Sequence, residues 1–180
     1  MTTNSRVSRI LYTLFSLSLV CSGVSAQEQP QSGESPCSTA EGLVSELYKS
    51  VTFPSGTTPD WNKVRAMFLP DAVVVLRTSR DKATVFSVDG FVEDFVAFIE
   101  RAGAQKTGFA ERIIRAKPAV FRDIAHVLVL YEARIPGSPR PPQQGVDSFE
   151  LIRKDGRWWI VSITNDLPTP DHPIPPELRN

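Results

Sequence analysis

The stretch DSFELIRKDGRWWIVSITND, from Asp147 to Asp166, decides the fold. It predicts two apolar-rich strands that reverse at Asp155-Gly156, because an Asp-Gly dipeptide favours a two-residue hairpin turn. Apolar side chains occur on both faces of both strands. We therefore expect this hairpin to lie inside a sheet that is covered on both sides, with the rest of the chain extending or covering that sheet.

Four further segments before this hairpin are predicted as strands. Ile124–Arg134 is the longest of them, and the alternation from Phe109 to Ala116 indicates a half-exposed strand. Ala72–Thr78 and Ala83–Phe86 are β-branched and apolar, and they pair across a short charged turn. The sequence therefore predicts an early strand pair followed by a meander of four strands.

Helical periodicity predicts three helices. The first begins with a capping box at Ser38–Glu41, and the second, short helix begins at Asp60 and is ended by Pro70. Ser87 caps the third and longest helix, whose broad apolar stripe ends near Gly103. We expect the two early helices to form a lid and the long helix to pack across the sheet.

This order of elements predicts an α+β roll. A strongly curved antiparallel sheet would wrap around the long helix, with the two N-terminal helices beside it and a conical cavity between helices and sheet. The roll would span residues 38–167. Residues 27–37 are polar and predict a disordered leader, and residues 168–180 predict a proline-rich tail with no helical or strand period.

The first 26 residues have the pattern of a secretory signal peptide. Arg6 and Arg9 precede an apolar run, Ile10–Val20, which is too short to span a bilayer comfortably. Small residues follow and end at Ala26, after which we expect cleavage. The mature protein would then be secreted or periplasmic and would carry no membrane segment.

Composition narrows the classes of partner. The chain has 20 basic and 20 acidic residues, and loss of the signal peptide removes Arg6 and Arg9, which leaves a net charge of about −2. No cluster of Lys and Arg occurs, so a nucleic-acid partner is not expected. Cys37 would be the one cysteine of the mature chain, which excludes an intramolecular disulfide. The two histidines lie far apart, so a zinc site is not expected. We expect no other cofactor.

Four segments carry a resemblance to a known superfamily. They are DWNKVRAMFLPDA at Asp60–Ala72, GFAERII at Gly108–Ile114, AHVLVLYEAR at Ala125–Arg134 and DSFELIRKDGRWWIVSI at Asp147–Ile163. With the element order, they resemble the nuclear transport factor 2-like superfamily, which includes SnoaL-like polyketide cyclases, ketosteroid isomerases and scytalone dehydratases, and within it a secreted bacterial group. The resemblance implies a cone-shaped roll, and this fold carries enzymes, ligand binders and dimerisation modules.

The comparison with the isomerases extends to two positions. Their tyrosine on the first helix, which donates a hydrogen bond to the developing enolate, is matched by Tyr48. Their catalytic aspartate on the first strand is matched by Leu76, so the carboxylate base is missing. The resemblance therefore disfavours steroid isomerase chemistry and keeps Tyr48 as a candidate hydroxyl in the cavity.

Three residues are candidates for catalysis. His126 could act as a general base in a dehydration or cyclisation, with Tyr48 or Tyr131 as the acid or oxyanion donor. Each also has a structural interpretation. His126 could be a hydrogen-bonded strand residue at a subunit interface, and the two tyrosines could be amphipathic core residues.

Four residues are candidates for ligand binding: Trp61, Glu132, Arg134 and Trp158. The tryptophans could line an apolar pocket or simply fill the core. A simple hairpin places Arg134 opposite Asp147, so that His126, Glu132, Arg134 and Asp147 share one sheet face; a slip of one residue would exchange the faces. Glu132 and Arg134 could alternatively form an ion-pair lattice with Asp147 and Glu111.

Three functional hypotheses follow, and each predicts a different cavity. Apolar walls with one polar end would favour a protein that binds a small hydrophobic or aromatic molecule. His126 and a tyrosine hydroxyl directed into an open cavity would favour a cofactor-free lyase or isomerase. A cone filled by its own side chains would favour a structural module. A homodimer through the outer face of the sheet is expected for the first hypothesis.

Overall fold

The computed structural model describes residues 35–79 and 81–179. The predicted signal peptide and most of the predicted leader lie outside the described residues. A 3-10 turn, Pro36–Ser38, precedes the first helix, so the described fold includes residues assigned to the leader. In chain order the elements are α1 (Ala40–Val51), β1 (Phe53–Pro54), α2 (Trp61–Arg65), β2 (Phe68–Ser79), β3 (Lys82–Ser87), α3 (Val88–Ala102), α4 (Ala104–Thr107), β4 (Gly108–Phe121), β5 (Ile124–Arg134), β6 (Gln143–Lys154), β7 (Arg157–Asp166) and α5 (Pro176–Arg179).

Seven strands form one curved sheet in the order β1-β4-β5-β6-β7-β2-β3. Neighbouring strands run antiparallel except for β2 and β7, which are parallel, so the sheet is mixed rather than antiparallel as predicted. Helices α1 and α3 pack against the inner face of the sheet. This arrangement is the predicted α+β roll.

The hairpin of β6 and β7 forms at the predicted turn. Lys154 pairs with Arg157, and Asp155 and Gly156 both have positive φ angles, 54° and 79°. Two successive residues in this conformation make the turn whose twist matches that of the flanking strands. Glycine adopts it without strain, and aspartate tolerates it better than most residues.

A bulge in β7 changes which of its side chains face inward. Leu151 of β6 pairs with Ile160, whereas Glu150 pairs with Ser162, so that Val161 is an extra residue. After an extra residue the alternation of a strand is inverted. Ile160 is buried before the bulge, and Ile163 and Asn165 take the inward positions after it.

The outer face of this hairpin is not covered, which corrects the prediction that it is covered on both faces. Val161 is 37% exposed, and Trp159 is only half-buried. The indole nitrogen of Trp159 donates a hydrogen bond to the Lys154 carbonyl, and the Arg157 guanidinium lies 3.9 Å from its ring centre. This face therefore presents an amphipathic surface, and the apolar core lies on the inner side.

The helix boundaries differ from the prediction in two places. The hydroxyl of Thr39, rather than Ser38, caps α1 by accepting a hydrogen bond from the Gly42 amide. Helix α2 ends at Arg65, and Phe68 already belongs to β2, because the backbone from there pairs with β7. Helix α3 has the predicted caps, Ser87 at its start and a left-handed Gly103 after its end.

The main core lies between α1, α3 and the central strands. Leu43 and Val44 of α1 are fully buried, as are Val127 and Val129 of β5 and Phe149 of β6. A second apolar cluster joins the ends of α3 and β4, where Phe53, Ile99, Ala104 and Phe109 are buried. Burial of side chains of this size contributes on the order of 2 kcal/mol each.

The C-terminal segment is more ordered than predicted. Residues Pro176–Arg179 form a short helix that packs against β4, and Leu178 is 1% exposed. A proline at the first helical position favours this start, since its φ angle is already helical. None of the described helices combines the length and the apolar character that a membrane crossing requires.

The register between β5 and β6 corrects the predicted assignment of side chains to faces. Asp147 lies opposite Val129 rather than Arg134, a shift of five residues along β5. Because five is an odd number, Asp147 shares the inner face with Tyr131, and His126 lies on the outer face. The shift arises because β6 begins at Gln143 and brings Gly145 opposite Tyr131.

Gly145 is required at this position for reasons of space. A Cβ atom added there would lie 2.4 Å from the Tyr131 hydroxyl oxygen. The missing side chain therefore leaves room for the tyrosine ring to lie along the inner face of the sheet.

Candidate functional site

A cavity of about 220 Å³ lies between α1, α3 and the inner face of the sheet. Its walls are mainly apolar, and they come from both helices and from three strands of the sheet. The apolar lining residues are Leu47, Val51, Val74, Leu76, Phe91, Phe95, Phe149, Ile163 and Leu167.

One end of this cavity carries a group of polar side chains, which we call the polar end. It consists of Tyr48 from α1, Glu111 from β4, Tyr131 from β5, Asp147 from β6 and Asn165 from β7. Five elements each supply one residue, so the group exists only in the folded chain.

Hydrogen bonds organise most of the polar end around Asp147. The Tyr48 hydroxyl donates to Oδ2 of Asp147 at 2.5 Å. The Asn165 side-chain amide donates to Oδ1 of the same carboxylate at 2.7 Å and to the Tyr131 hydroxyl oxygen at 3.0 Å. Hydrogen bonds to an ionised acceptor are the strong ones, so these two donors hold the carboxylate in place.

Burial dominates the electrostatics of Asp147 and raises its pKa to about 6. The hydrogen bonds from Tyr48 and Asn165 act in the opposite direction because they stabilise the ionised form. At neutral pH the carboxyl group is therefore mostly ionised, while its affinity for a proton is higher than that of an aspartate in water. This combination suits a proton acceptor.

Glu111 differs from Asp147 in having no hydrogen bond or ion pair from its carboxyl group to any described residue. Burial raises its pKa to about 8, and the charge of Asp147 adds to the shift. At neutral pH Glu111 is therefore mostly protonated and available as a hydrogen-bond donor.

The backbone of Glu111 is fixed by the end of α1. The Thr52 hydroxyl donates to the Glu111 carbonyl oxygen and accepts from the Glu111 amide, at 2.9 Å in each case. This double link ties α1 to β4 beside the cavity, and it orients the strand that carries the carboxyl group.

The two tyrosines of the polar end remain neutral donors at physiological pH. Burial raises the pKa of Tyr48, and the nearby charge and hydrogen bond of Asp147 raise it further. Burial also raises the pKa of Tyr131, with contributions from the charges of Asp147 and Glu111. Their rings pack together, with centroids 5.9 Å apart.

His126 lies outside the cavity, which corrects its proposed role as base toward a ligand held there. Its side chain is 41% exposed on the outer face, and Nδ1 lies 2.9 Å from Oε1 of Glu150 on the neighbouring strand. Its neighbours Ala125 and Val127 are the inward-facing residues. A molecule in the cavity would be separated from His126 by the thickness of the sheet.

The four predicted ligand-binding residues also lie away from the cavity. Glu132 forms an ion pair with Arg112 at 3.1 Å on the outer face, and Arg112 is not one of the partners predicted for its lattice. Arg134 is exposed, near the loop that joins β5 to β6. Trp61 stacks at a tilt against Phe95, with ring centroids 5.4 Å apart, and Trp158 is a buried core residue.

Tyr48 and Tyr131 do lie in the cavity, and Leu76 lines it as well. The position that carries a catalytic aspartate in the isomerases is therefore an apolar wall here. The carboxyl groups enter from β4 and β6 instead.

The sequence suggested Asp147 and Glu111 only as members of an alternative cross-strand ion-pair lattice, and it did not single out Asn165. Strand alternation contained a signal, since Asp147 is spaced by two residues from the buried Phe149. Asn165 stands in the same relation to the buried Ile163. A polar residue that continues an apolar face of a strand is a candidate for a buried polar site.

Comparison with known proteins shows the fold. The chain is similar to a nuclear transport factor 2-like protein from Pseudomonas putida KT2440, with a TM-score of 0.57, 12% identity, and coverage of 78% of this chain and 93% of that one. It is also similar to a protein from Novosphingobium aromaticivorans DSM 12444 described provisionally as a scytalone dehydratase, with a TM-score of 0.52, 16% identity, and coverage of 72% and 81%.

A third similar structure is the CamKII hub homology domain of Chlamydomonas reinhardtii, with a TM-score of 0.56, 14% identity, and coverage of 75% of this chain and 99% of that one. No family model and no curated protein matches the sequence. The chain has the nuclear transport factor 2-like fold, as the sequence resemblance predicted, and at these identities the likeness establishes the fold alone.

Proposed function

We propose that this protein binds a small hydrophobic or aromatic molecule in the cavity between its helices and its sheet. The observation that carries the proposal is the form of that cavity, which has apolar walls and a single polar end. Apolar walls with a few convergent polar groups are typical of small-molecule sites. An open cavity also disfavours the purely structural module, whose cone would be filled by side chains.

The volume of the cavity limits the size of the ligand. About 220 Å³ is less than the roughly 300–1,000 Å³ of sites for drug-sized molecules. It is more than the cavity of about 150 Å³ that holds benzene in an engineered protein core. A single ring with one short polar substituent fits between these limits.

The test is calorimetric titration with benzyl alcohol, a ring that carries one hydroxymethyl group. We expect saturable binding to the protein, and its loss in Leu76→Trp, because the larger side chain fills the cavity. Val85→Trp is the matched control, since Val85 is 67% exposed on the adjacent strand. Equal binding by both variants would place the ligand elsewhere and overturn the proposal.

A second candidate function is a cofactor-free lyase or isomerase. It is favoured by the pKa values of Asp147 and Glu111, about 6 and about 8, which lie on either side of neutrality. Such a pair provides a base and an acid at the same pH. In this alternative Asp147 replaces His126 as the base, and Glu111 or Tyr131 donates to the substrate oxygen.

Deuterium exchange into cyclohexanone tests this second function. The Asp147 carboxylate would take a proton from the carbon beside the carbonyl, the oxygen would receive a proton as the enol forms, and the reverse step in D₂O would deliver deuterium to carbon. We expect exchange above the buffer rate that is lost in Asp147→Asn and kept in His126→Ala. Exchange at the buffer rate would exclude this chemistry for ketones.

Export and self-association are further parts of the proposal. The pattern of residues 1–26 supports secretion or periplasmic targeting with cleavage after Ala26. Val120, Phe121 and Ile124 at the β4–β5 turn are more than half exposed, which supports a homodimer, and one similar structure is named a hub domain. N-terminal sequencing of the exported protein tests the first, and light scattering tests the second.

A further inference from the structure

The composition of the polar end points to a more specific class of ligand. We propose that the cavity binds a small aromatic amine in its protonated, cationic form, with the ammonium group at the polar end beside Glu111 and Asp147. This inference rests on the proposed binding function and specifies the charge of the ligand.

The charges that line the cavity are unbalanced. Two carboxyl groups line it, and Arg77 is the basic residue among the described lining residues. The guanidinium of Arg77 is already committed, because its Nε and Nη2 atoms donate to the two carboxylate oxygens of Asp166 at 3.0 and 2.9 Å. The carboxyl groups of the polar end are therefore left without a basic partner among the described residues.

A cationic ligand would supply the missing partner. Burial of a carboxylate without a counter-charge is unfavourable, and this is the cause of the raised pKa values of both groups. An ammonium group has three donor hydrogens, and the Glu111 carboxyl group has no other described partner to lose. An anionic ligand would add to the repulsion and should be excluded.

The aromatic side chains near the polar end support the same class. The ring of Tyr48 packs against those of Tyr131 and Phe149, with centroids 5.9 and 6.3 Å apart. Phe91 and Phe95 of α3 line the cavity as well. Aromatic faces attract cations and pack against aromatic rings, so both parts of an aromatic amine find complementary surface.

Binding of a cation should release a proton. The charged and titratable groups that line the cavity are Tyr48 from α1, Arg77 from β2, Glu111 from β4, Tyr131 from β5 and Asp147 from β6, while α3 contributes only Phe91 and Phe95. Near neutral pH Asp147 is already mostly ionised and the tyrosines stay neutral. Glu111, with a pKa of about 8, is the group that ionises when the ammonium arrives.

The experiment compares three probes of nearly equal size: benzylamine, benzyl alcohol and benzoate. Calorimetry at pH 7 should give benzylamine a Kd about tenfold or more below that of benzyl alcohol, as expected for a hydrogen bond to a charged group. Benzoate should not bind. Titrations in phosphate and HEPES, which differ in ionisation enthalpy, should show release of about one proton with benzylamine alone.

Variants connect this preference to the polar end. Glu111→Gln should abolish the proton release and reduce the preference for benzylamine at least severalfold, and Asp147→Asn should reduce the preference further. Glu150→Gln is the matched control on the outer face, where that carboxylate contacts His126, and it should bind all three probes as the parent protein does. A cooperative thermal unfolding transition in each variant would show that the fold around the cavity is intact.

The possible failures are distinguishable. If benzyl alcohol binds as tightly as benzylamine, or if Glu111→Gln retains the preference, the cationic class is wrong while the binding function stands. If none of the three probes binds, the binding function and this inference are both overturned.

Discussion

Asp147 and Glu150 lie three residues apart on β6, and each contacts a polar side chain of another element, yet their surroundings differ completely. Asp147 faces the cavity, where Tyr48 and Asn165 donate to it and burial raises its pKa to about 6. Glu150 faces outward, is 57% exposed, and contacts His126, which is 41% exposed. The comparison teaches that removal of water, rather than the residue types, gives a carboxyl group unusual chemistry.

The outer pair, His126 and Glu150, has the residue types associated with acid–base catalysis. The polar end of the cavity has the partly desolvated environment that such catalysis requires. An exposed ion pair is solvated and contributes little to stability. In the cavity, each carboxyl group is partly desolvated, so that its protonation state responds to whatever enters. Three experiments test this difference between the inner and outer groups.

Gly145→Val should have the largest effect, because it disrupts the packing that holds the inner group. The new Cβ would lie 2.4 Å from the Tyr131 hydroxyl oxygen and force the ring to move. We expect a loss of about 3 kcal/mol in the free energy of unfolding, at the upper end for overpacking, measured by urea denaturation. Gln144→Val, one residue away and outward-facing, is the control and should change stability by less than about 0.5 kcal/mol.

Glu111→Gln should have the next largest effect, and its sign depends on pH. The folded-state pKa of Glu111 is raised from 4.5 to about 8, so between these values the folded state binds more protons than the unfolded state. Stability is therefore greatest below pH 4.5 and falls as the pH rises toward 8. Linkage over this pKa difference amounts to about 4 kcal/mol at pH 8, and solvent screening of the half-buried side chain reduces it. The variant lacks this loss and should therefore be more stable than the parent by about 2 kcal/mol at pH 8.

Thermal unfolding across the range from pH 4.5 to pH 8 measures this difference. Glu132→Gln, which removes a carboxylate of the outer face that is paired with Arg112, is the matched control and should retain the loss of stability toward pH 8 that Glu111 causes. A parent profile that stays flat across this range would show that the cavity does not desolvate Glu111.

His126→Ala should have the smallest effect. The histidine and Glu150 are exposed, so we expect a change in stability of less than about 0.5 kcal/mol and unchanged affinity for benzyl alcohol and benzylamine. Chemical denaturation and calorimetry measure the two quantities. A large loss of ligand affinity in this variant would contradict the separation of inner and outer groups.

Much of the fold could be predicted from the sequence because its signals are local. The Asp155-Gly156 turn, the cap of α3 at Ser87 and the bounds of β5 depend on neighbouring residues. Helix α2 was predicted too long because Phe68 lies at helical spacing from Trp61 and Val64. In the structure Phe68 pairs with β7 instead, and this long-range contact leaves no local signal.

The candidate site was predicted only in part. Both tyrosines of the polar end were identified. The resemblance pointed to Tyr48, and Tyr131 was a candidate for the same role as acid or oxyanion donor. Asp147 was predicted to share a sheet face with His126 and Arg134, because the loop between β5 and β6 conceals the register. A shift of an odd number of residues exchanges the faces of a whole strand.

Local sequence signals predict α1 to α3, β2 to β7, their order and the α+β roll, because hydrophobic periodicity, caps and turn residues act over a few residues. The tertiary structure alone decided which polar side chains share the cavity. That decision depends on the β5–β6 register, on the space left by Gly145 and on the bulge at Val161, which turns Asn165 inward. The polar side chains that meet in the cavity lie up to about a hundred positions apart in the sequence, as Tyr48 and Asp147 do. Contacts across such distances are fixed by the packing of the whole sheet rather than by local sequence.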